Sequence, residues 1–353
     1  MRGEIYLQKI SLAEFLDNPD YHNCWSRQVS DDNFTLTPAY LKLYNDQNSN
    51  TFFYIGRLNG EIVLHCLISV LTLKIAGIPI RAAMLGAPKT NGKAFWYSQT
   101  QLSYPVFIAS ILAAFKREFS FHIFILREFY CKNDAGLLLE NQKMGFLNHH
   151  ALVKSFLDIT AYPSFDDYFN VLPSKKRNYF RNILKCREKP EVLLQQLELN
   201  PELVTLIYPL YRETNARAKE NRTAPVPQSV FLALCDSEIK TKVITYQLHH
   251  NIVAFGLMLY NSTTVKCLFT GFDYSVNKSH NLWYQIMLES IRFAIDNRSH
   301  TVDMGSSAAA MKDKFLAGHD DVYISVLLKN ALLTALLKMP LSHLLKQFLK
   351  PAI

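Results

Sequence analysis

The sequence predicts an α/β chain of two similarly ordered halves, each a mixed, mostly antiparallel sheet flanked by helices. Three observations carry this. Apolar residues recur at helical spacing in some segments and fill short β-rich runs in others. Two such runs are joined by Asn59-Gly60, the pair favoured for a two-residue hairpin turn because both positions need φ > 0. The order helix, hairpin, strand, helix, strand, helix, strand occurs in residues 1–160 and again in 161–330, with no repeat at the level of residues.

In the first half, Ser11–Asp17 reads as a short helix, because Ser11 and Glu14 stand at capping-box spacing. Pro38–Tyr44 is a second helix. Thr51–Leu58 and Glu61–Leu73 form the hairpin, Ile75–Ile80 turns the chain, and Arg81–Leu85 enters a further strand. Tyr104–Phe119 is helical by period, with Val106, Ile108, Ile111, Leu112 and Phe115 on one face. His122–Arg127 is a strand, Asn133–Met144 a helix ended by Gly145, and Ala151–Ile159 a strand. The polar stretch Thr160–Asp167, with Pro163, marks the boundary.

The second half opens with a basic helix, Pro173–Cys186, then Pro201–Ala218, a loop with Arg222, Pro225 and Pro227, and a short helix at Gln228–Leu234. Lys242–His249 and Ile252–Tyr260 pair around a turn at His250-Asn251. Val265–Phe272 is a strand and Leu282–Asp296 a strongly amphipathic helix. Thr301–Met304, a helix at Ala308–Leu316 and a strand at Val322–Leu328 follow. Residues 331–353 form a C-terminal amphipathic helix with Lys338, Lys346 and Lys350. It reads either as a helix lying on a membrane surface or as a terminal helix closing a groove.

Composition narrows the function classes. Of the 353 residues 49% are hydrophobic, and 23 Phe with 18 Tyr exclude a disordered chain. The net charge of +8 favours anionic partners: phosphates, nucleic acid, anionic lipid or an acidic carrier protein. Cys24, Cys66, Cys131, Cys186, Cys235 and Cys267 are scattered without a C-x-x-C pair, as expected of reduced thiols in a cytoplasmic protein. Met1–Ala13 lacks the apolar core of a secretory signal, and no stretch reaches the ~18 apolar residues of a spanning helix. His149-His150 and His249-His250 have no third ligand at metal spacing, so no metal is expected.

Two short motifs stand out in the second half. Asp303-Met304-Gly305-Ser306 is followed by Lys312-x-x-Phe315, and Leu172 leads through Arg177 to Phe180-Arg181. These resemble the D-x-G…K-x-x-F signature and the L-x-x-x-x-R-x-x-(I/F)-(R/K) helix of the FemAB-like acyltransferases, a branch of the GNAT superfamily. The first half is similar to a GNAT domain in element order alone. The resemblance implies two GNAT-like domains in tandem, 1–160 and 161–330, with catalysis in the second. The Q/R-x-x-G-x-G/A loop of coenzyme A-dependent members is missing, since Asn277–Leu282 holds no glycine, and Ser306–Leu316 holds no late tyrosine.

The resemblance further implies acyl transfer from a thioester, acyl-coenzyme A or acyl-carrier protein, to the amine of a small molecule, with no permanently bound cofactor. Two alternatives stand beside it: an aminoacyl-tRNA-dependent transferase, and a degenerate pair that binds nucleic acid or lipid without catalysis. Acyl transfer requires an N–H at the developing oxyanion, a neutral amine and charge stabilisation of the leaving group. In the family the N–H comes from a strand where two parallel strands part. Here that points to the backbone of Phe272, Asp273 and Tyr274, with the Tyr274 hydroxyl, like those of Tyr246 and Tyr284, a candidate acid or substrate contact. Lys278 and His280 precede the helix that starts near Asn281, whose N-terminus suits a donor phosphate. Arg177, Arg181 and Lys185 share a helix face by their spacing and suit an anionic donor or a solvated face. Asp303 is read as base, as orienter of Lys312, as a substrate contact, or as cap of its turn. Lys312 would stabilise negative charge, while Lys314 reads as solvated.

Overall fold

In a computed structural model of the chain, residues 5–27, 33–44, 50–75, 78–218 and 225–329 are described. The first half runs β1 (Tyr6–Ser11), α1 (Leu12–Asp17), α2 (Pro19–Ser26), α3 (Pro38–Leu43), β2 (Thr51–Leu58), β3 (Glu61–Ile75), β4 (Ile78–Leu85), β5 (Phe95–Tyr97), α4 (Tyr104–Glu118), β6 (Ile123–Tyr130), α5 (Cys131–Lys143) and β7 (Leu147–Asp158). The second runs α6 (Phe165–Val171), α7 (Ser174–Leu184), β8 (Val192–Leu197), α8 (Pro201–Arg217), α9 (Gln228–Cys235), β9 (Thr241–Leu248), β10 (Asn251–Tyr260), β11 (Thr264–Phe272), α10 (Tyr274–His280), α11 (Leu282–Asp296), β12 (Thr301–Asp303), α12 (Ala309–Lys312) and β13 (Gly318–Leu328). The C-terminal helix expected over 331–353 and the Arg222 loop position lie outside the described residues.

The chain divides into two compact units, Met1–Leu152 with Asp320–Ile353, and Val153–His319. In the first unit the strands follow the order β1-β2-β3-β4-β6-β13, antiparallel except for the parallel pair β4/β6, with β5 added to β3. In the second unit the order is β8-β9-β10-β11-β12-β7, antiparallel except for the parallel pair β11/β12. The two orders match strand for strand. The last strand of each half pairs away from its own half: β7 joins β12, and β13 joins β6. Mixed, mostly antiparallel sheets flanked by helices are the fold class that the sequence predicts.

Local chemistry explains the turns. Asn59 and Gly60 adopt φ of 53° and 89°, which closes the β2/β3 hairpin. Ser11 and Glu14 form the full capping box, each side chain bonded to the other's backbone N–H at 3.1 and 2.7 Å. The second hairpin departs from expectation by one residue. Its turn is His249-His250, at φ 49° and 65°, with Leu248 opposite Asn251. Histidine tolerates the left-handed region better than most side chains, but it carries no glycine-like turn signal.

Two glycines let helices reach the second sheet. A Cβ on Gly256 would lie 2.5 Å from Ile286 Cγ2 of α11. One on Gly271 would lie 2.6 Å from the backbone of Leu210 and Tyr211 in α8. Gly256 pairs with Thr270 and Gly271 with Phe255, so adjacent residues of β11 face opposite sides. Helices α11 and α8 therefore cover opposite faces. The core of this unit gathers Phe180, Tyr246, Met258, Val265, Ile286, Ile291, Val302 and Phe315.

Candidate functional site

In the second unit the parallel pair is short. Thr264, Val265 and Lys266 of β11 lie beside Thr301, Val302 and Asp303 of β12. There β12 ends, while β11 runs on to Phe272 paired with β10. The two strands part after Lys266 and Asp303, at the carboxyl ends where open α/β sheets hold ligands.

The side chains at the parting point form a buried ionic cluster. Lys266 Nζ bonds Asp303 Oδ2 at 2.6 Å. Lys154, Lys266, Asp303 and Lys312 are all at least nine-tenths buried. Burial alone would push the Asp303 carboxyl up. The positive charges of Lys266 and Lys154, with the Gly305 N–H donated to Oδ1 at 2.9 Å, outweigh this and hold it well below the usual carboxylate range. A carboxylate so held stays ionised and is a weak proton acceptor, which suits an orienting counter-ion better than a base.

Lys312 Nζ donates to the Gly305 carbonyl at 3.0 Å, and Ser155 N donates to the same oxygen at 3.1 Å. The segment from Gly305 to Leu316 is held in an uncommon backbone. Ala308 and Leu316 adopt φ of 54° and 63°, a conformation costing roughly 1–3 kcal/mol for residues other than glycine. Packing over-determines it. Phe315 is fully buried, its carbonyl accepts from Tyr168 Oη at 3.0 Å, and Lys176 Nζ donates to the Asp313 carbonyl at 2.5 Å.

At the end of β11 the expected backbone donors are occupied. Phe272 N–H donates to Thr214 Oγ1 of α8 at 3.1 Å, and Asp273 N–H donates to Val253 O at 2.8 Å. Because Phe272 points its N–H away from β10, strand alternation directs the N–H of Thr270 the same way, toward the opening; the register shift at Leu257/Met258 lies outside this stretch. Tyr274 begins α10, and the Arg217 guanidinium lies over its ring at 4.4 Å. Thr214 and Arg217 thus bring the end of α8 to the end of β11.

The expected donor-binding side chains separate into three places. Lys278 is exposed on α10. His280 is half-buried and bonds Tyr246 Oη through Nδ1 at 3.1 Å; burial lowers its pKa, as does the nearby Lys189, and burial pushes the Tyr246 hydroxyl up to about 12. The glycine-free stretch Asn277–Leu282 ends α10 and starts α11, and Asn281, at φ 52°, separates the two helices. On α7, Arg181 is exposed, whereas Arg177 is turned back to the Asn170 carbonyl at 2.6 Å. Lys314 is not merely solvated: its ammonium sits 4.2 Å from the Tyr179 ring and donates to Tyr284 Oη at 2.9 Å.

Lys154, Lys266, Thr214 and Arg217 escaped the sequence reading. The lysines had a legible signal, a lone charge inside an apolar strand run. The α8 residues had none. The corresponding point in the first unit lies beyond the β4/β6 pair, next to the segment after β4. Arg127 holds that segment through the carbonyls of Thr90 and Ala87, at 2.8 and 3.3 Å. Among the described residues no three His, Cys, Asp or Glu side chains gather as a metal site, and no helix is long and apolar enough to cross a membrane.

Two units of this strand order, each with one parallel pair that parts, define the tandem GNAT-type acyltransferase fold, and this is the fold of the chain. It is similar in structure to FemX, with a TM-score of 0.63 at 9% identity, over 95% of this chain and 100% of that one. It is similar to L-PGS from Bacillus licheniformis, with a TM-score of 0.57 at 11% identity, over 91% and 95%. A tandem GNAT protein from the clavulanic acid biosynthesis pathway gives 0.56 at 10% identity, over 91% and 98%. No family model and no curated protein matches the sequence.

Proposed function

We propose that the chain is an N-acyltransferase that works in its second unit, moving an acyl group from a thioester donor to the amine of a small molecule. The observation that carries this reading is the parting of β11 and β12 after Lys266 and Asp303, with the Thr270 N–H directed into the opening. A donor carbonyl there would place its developing oxyanion against a fixed backbone donor. In this reading Lys312 supplies positive charge to the donor or the tetrahedral intermediate. Asp303 orients the lysines, and Tyr274, at the start of α10 just past β11, would protonate a leaving group. Phe272 and Asp273 shape the donor side, with the exposed Lys278 and Arg181 available to donor phosphates; His280, bonded to Tyr246, and Arg177, turned back to the Asn170 carbonyl, would join them only on releasing those bonds. Acyl-coenzyme A or acyl-carrier protein is the co-substrate, and a cytoplasmic location fits either.

The test is a transfer assay with acyl-coenzyme A and acyl-carrier protein against a panel of small amines, read by mass spectrometry. Transfer should occur in the wild-type chain and be lost in Lys312→Ala and Asp303→Ala variants that keep the wild-type circular dichroism. Full activity in both variants would remove these residues from the site.

A second reading, an aminoacyl-tRNA donor, is favoured by α7, which carries Lys175, Lys176, Arg177 and Arg181 and no carboxylate. Such an excess of positive charge on one helix suits a polyphosphate backbone. The same assay with aminoacyl-tRNA separates the two readings, since transfer from tRNA alone would replace the thioester.

A further inference from the structure

The first unit contains an open cleft of about 680 Å³ beside β5, bounded opposite by the start of α5. We propose that this cleft binds an extended peptide, added as a strand to the edge of β5 that has no partner strand among the described residues. The inference does not rest on the acyl-transfer reading.

The hydrogen-bond register of β5 is the main argument. Leu67 N donates to Ala94 O at 3.0 Å, and Ser98 N donates to Val63 O at 2.8 Å. Residues 94, 96 and 98 therefore turn their backbone groups toward β3. By strand alternation Phe95 and Tyr97 turn theirs the other way, and both residues line the cleft. Two N–H and C=O pairs at two-residue spacing are what an edge strand offers to an incoming chain.

This edge is fixed before anything binds. The Phe95 and Tyr97 rings stack on Phe107 of α4, with centroids 5.2 and 5.3 Å away. On the other face Trp96 stacks on the fully buried His65 at 5.3 Å, and His65 in turn lies against Trp25 and Phe53. A three-residue strand gripped on both faces loses little further freedom on binding. Across the cleft, the buried Asp134 carboxylate accepts from Tyr130 N–H at 2.9 Å and pairs with the partly exposed Lys93 at 2.5 Å. Asp134 has non-helical angles of −117° and 17°, which set it apart from the helix that follows. This wall is polar and carries no net charge. With backbone groups on one side and a neutral polar wall on the other, the cleft suits a polyamide chain better than an anion.

The test uses the full chain. Random linear peptides are selected on it, and the best binder is resynthesised with single N-methyl groups at each position in turn. N-methylation should weaken binding about tenfold at alternate positions, those whose N–H meets β5, and leave the intervening positions unchanged; tenfold corresponds to roughly one hydrogen bond. Binding should slow amide exchange at Phe95 and Tyr97. Tyr97→Pro, checked for its fold by circular dichroism, should bind the peptide at least as weakly. Failure to select any binder, indifference to N-methylation at every position, or protection confined to other amides would each overturn the proposal. Self-association of the free chain that Tyr97→Pro abolishes would also overturn it, because the occupant would then be a second copy.

Discussion

The rings of Phe180 and Phe315 stack with centroids 4.9 Å apart and planes 23° from parallel, and both side chains are fully buried. The two motifs that stand out in the sequence meet at this contact. Their aromatic positions serve packing, and the packing fixes the segment that carries Lys312. Phe315→Ala should cost about 3–5 kcal/mol in chemical denaturation. The Phe180→Ala/Phe315→Ala double variant should cost less than the sum of the two singles, since they lose one shared contact. Additive losses would show that the rings act independently.

Asp303 should contribute to stability in a pH-dependent way. Its pKa is depressed in the folded chain. Its contribution is therefore present above the unfolded value, about 3.9, and is lost as pH falls toward the folded value. Asp303→Asn leaves Lys266 and Lys154 buried without their counter-ion and should cost about 3–5 kcal/mol near neutral pH. Urea denaturation across the acid range should show a shallower fall in stability for the variant than for the wild type.

Much of this fold is legible because its signals are local. Asn59-Gly60, the Ser11/Glu14 box and the apolar stripe of Leu282–Asp296 each depend on neighbours within a turn or two. The strand Val192–Leu197 and the helix Phe165–Val171 carry weaker signals: the first is a half-exposed edge strand, and the second begins inside the polar stretch Thr160–Asp167 that marks the boundary. The pairing of β7 with β12 and of β13 with β6 joins residues more than a hundred positions apart, and no periodicity encodes it. The site divides the same way. Asp303 and Lys312 fall within one motif, but Lys266 lies 37 residues from Asp303 and Thr214 58 from Phe272, so only the folded chain shows them as partners.

Gly271 and Gly256 should differ in their tolerance of alanine. At Gly271 the added Cβ meets helix backbone at 2.6 Å and the Phe255 ring at 2.4 Å, whereas at Gly256 it meets one methyl of Ile286 at 2.5 Å. Backbone cannot move aside as a side chain can. Gly271→Ala should lose about 1–3 kcal/mol and Gly256→Ala less, measured by thermal or urea unfolding. The reverse order would contradict the close approach of α8 to β11.

His65 should make the first unit acid-sensitive. Burial pushes its pKa down to about 3. The unfolded chain takes up this proton near pH ~6.5, so between those values stability falls as pH falls, by about 1.4 kcal/mol per pH unit. His65→Phe removes that slope. Equal slopes in variant and wild type would mean that His65 is protonated in the folded chain.

Hydrogen exchange in the presence of a bound donor tests the placement of the site most directly. On saturation with the acyl-coenzyme A or carrier protein that supports transfer, protection should rise at Thr270 and along 304–312 in the second unit, with no change at 82–90 in the first. Protection confined to the first unit, with residues 267–274 and 304–312 unaffected, would contradict the placement of acyl transfer where β11 and β12 part.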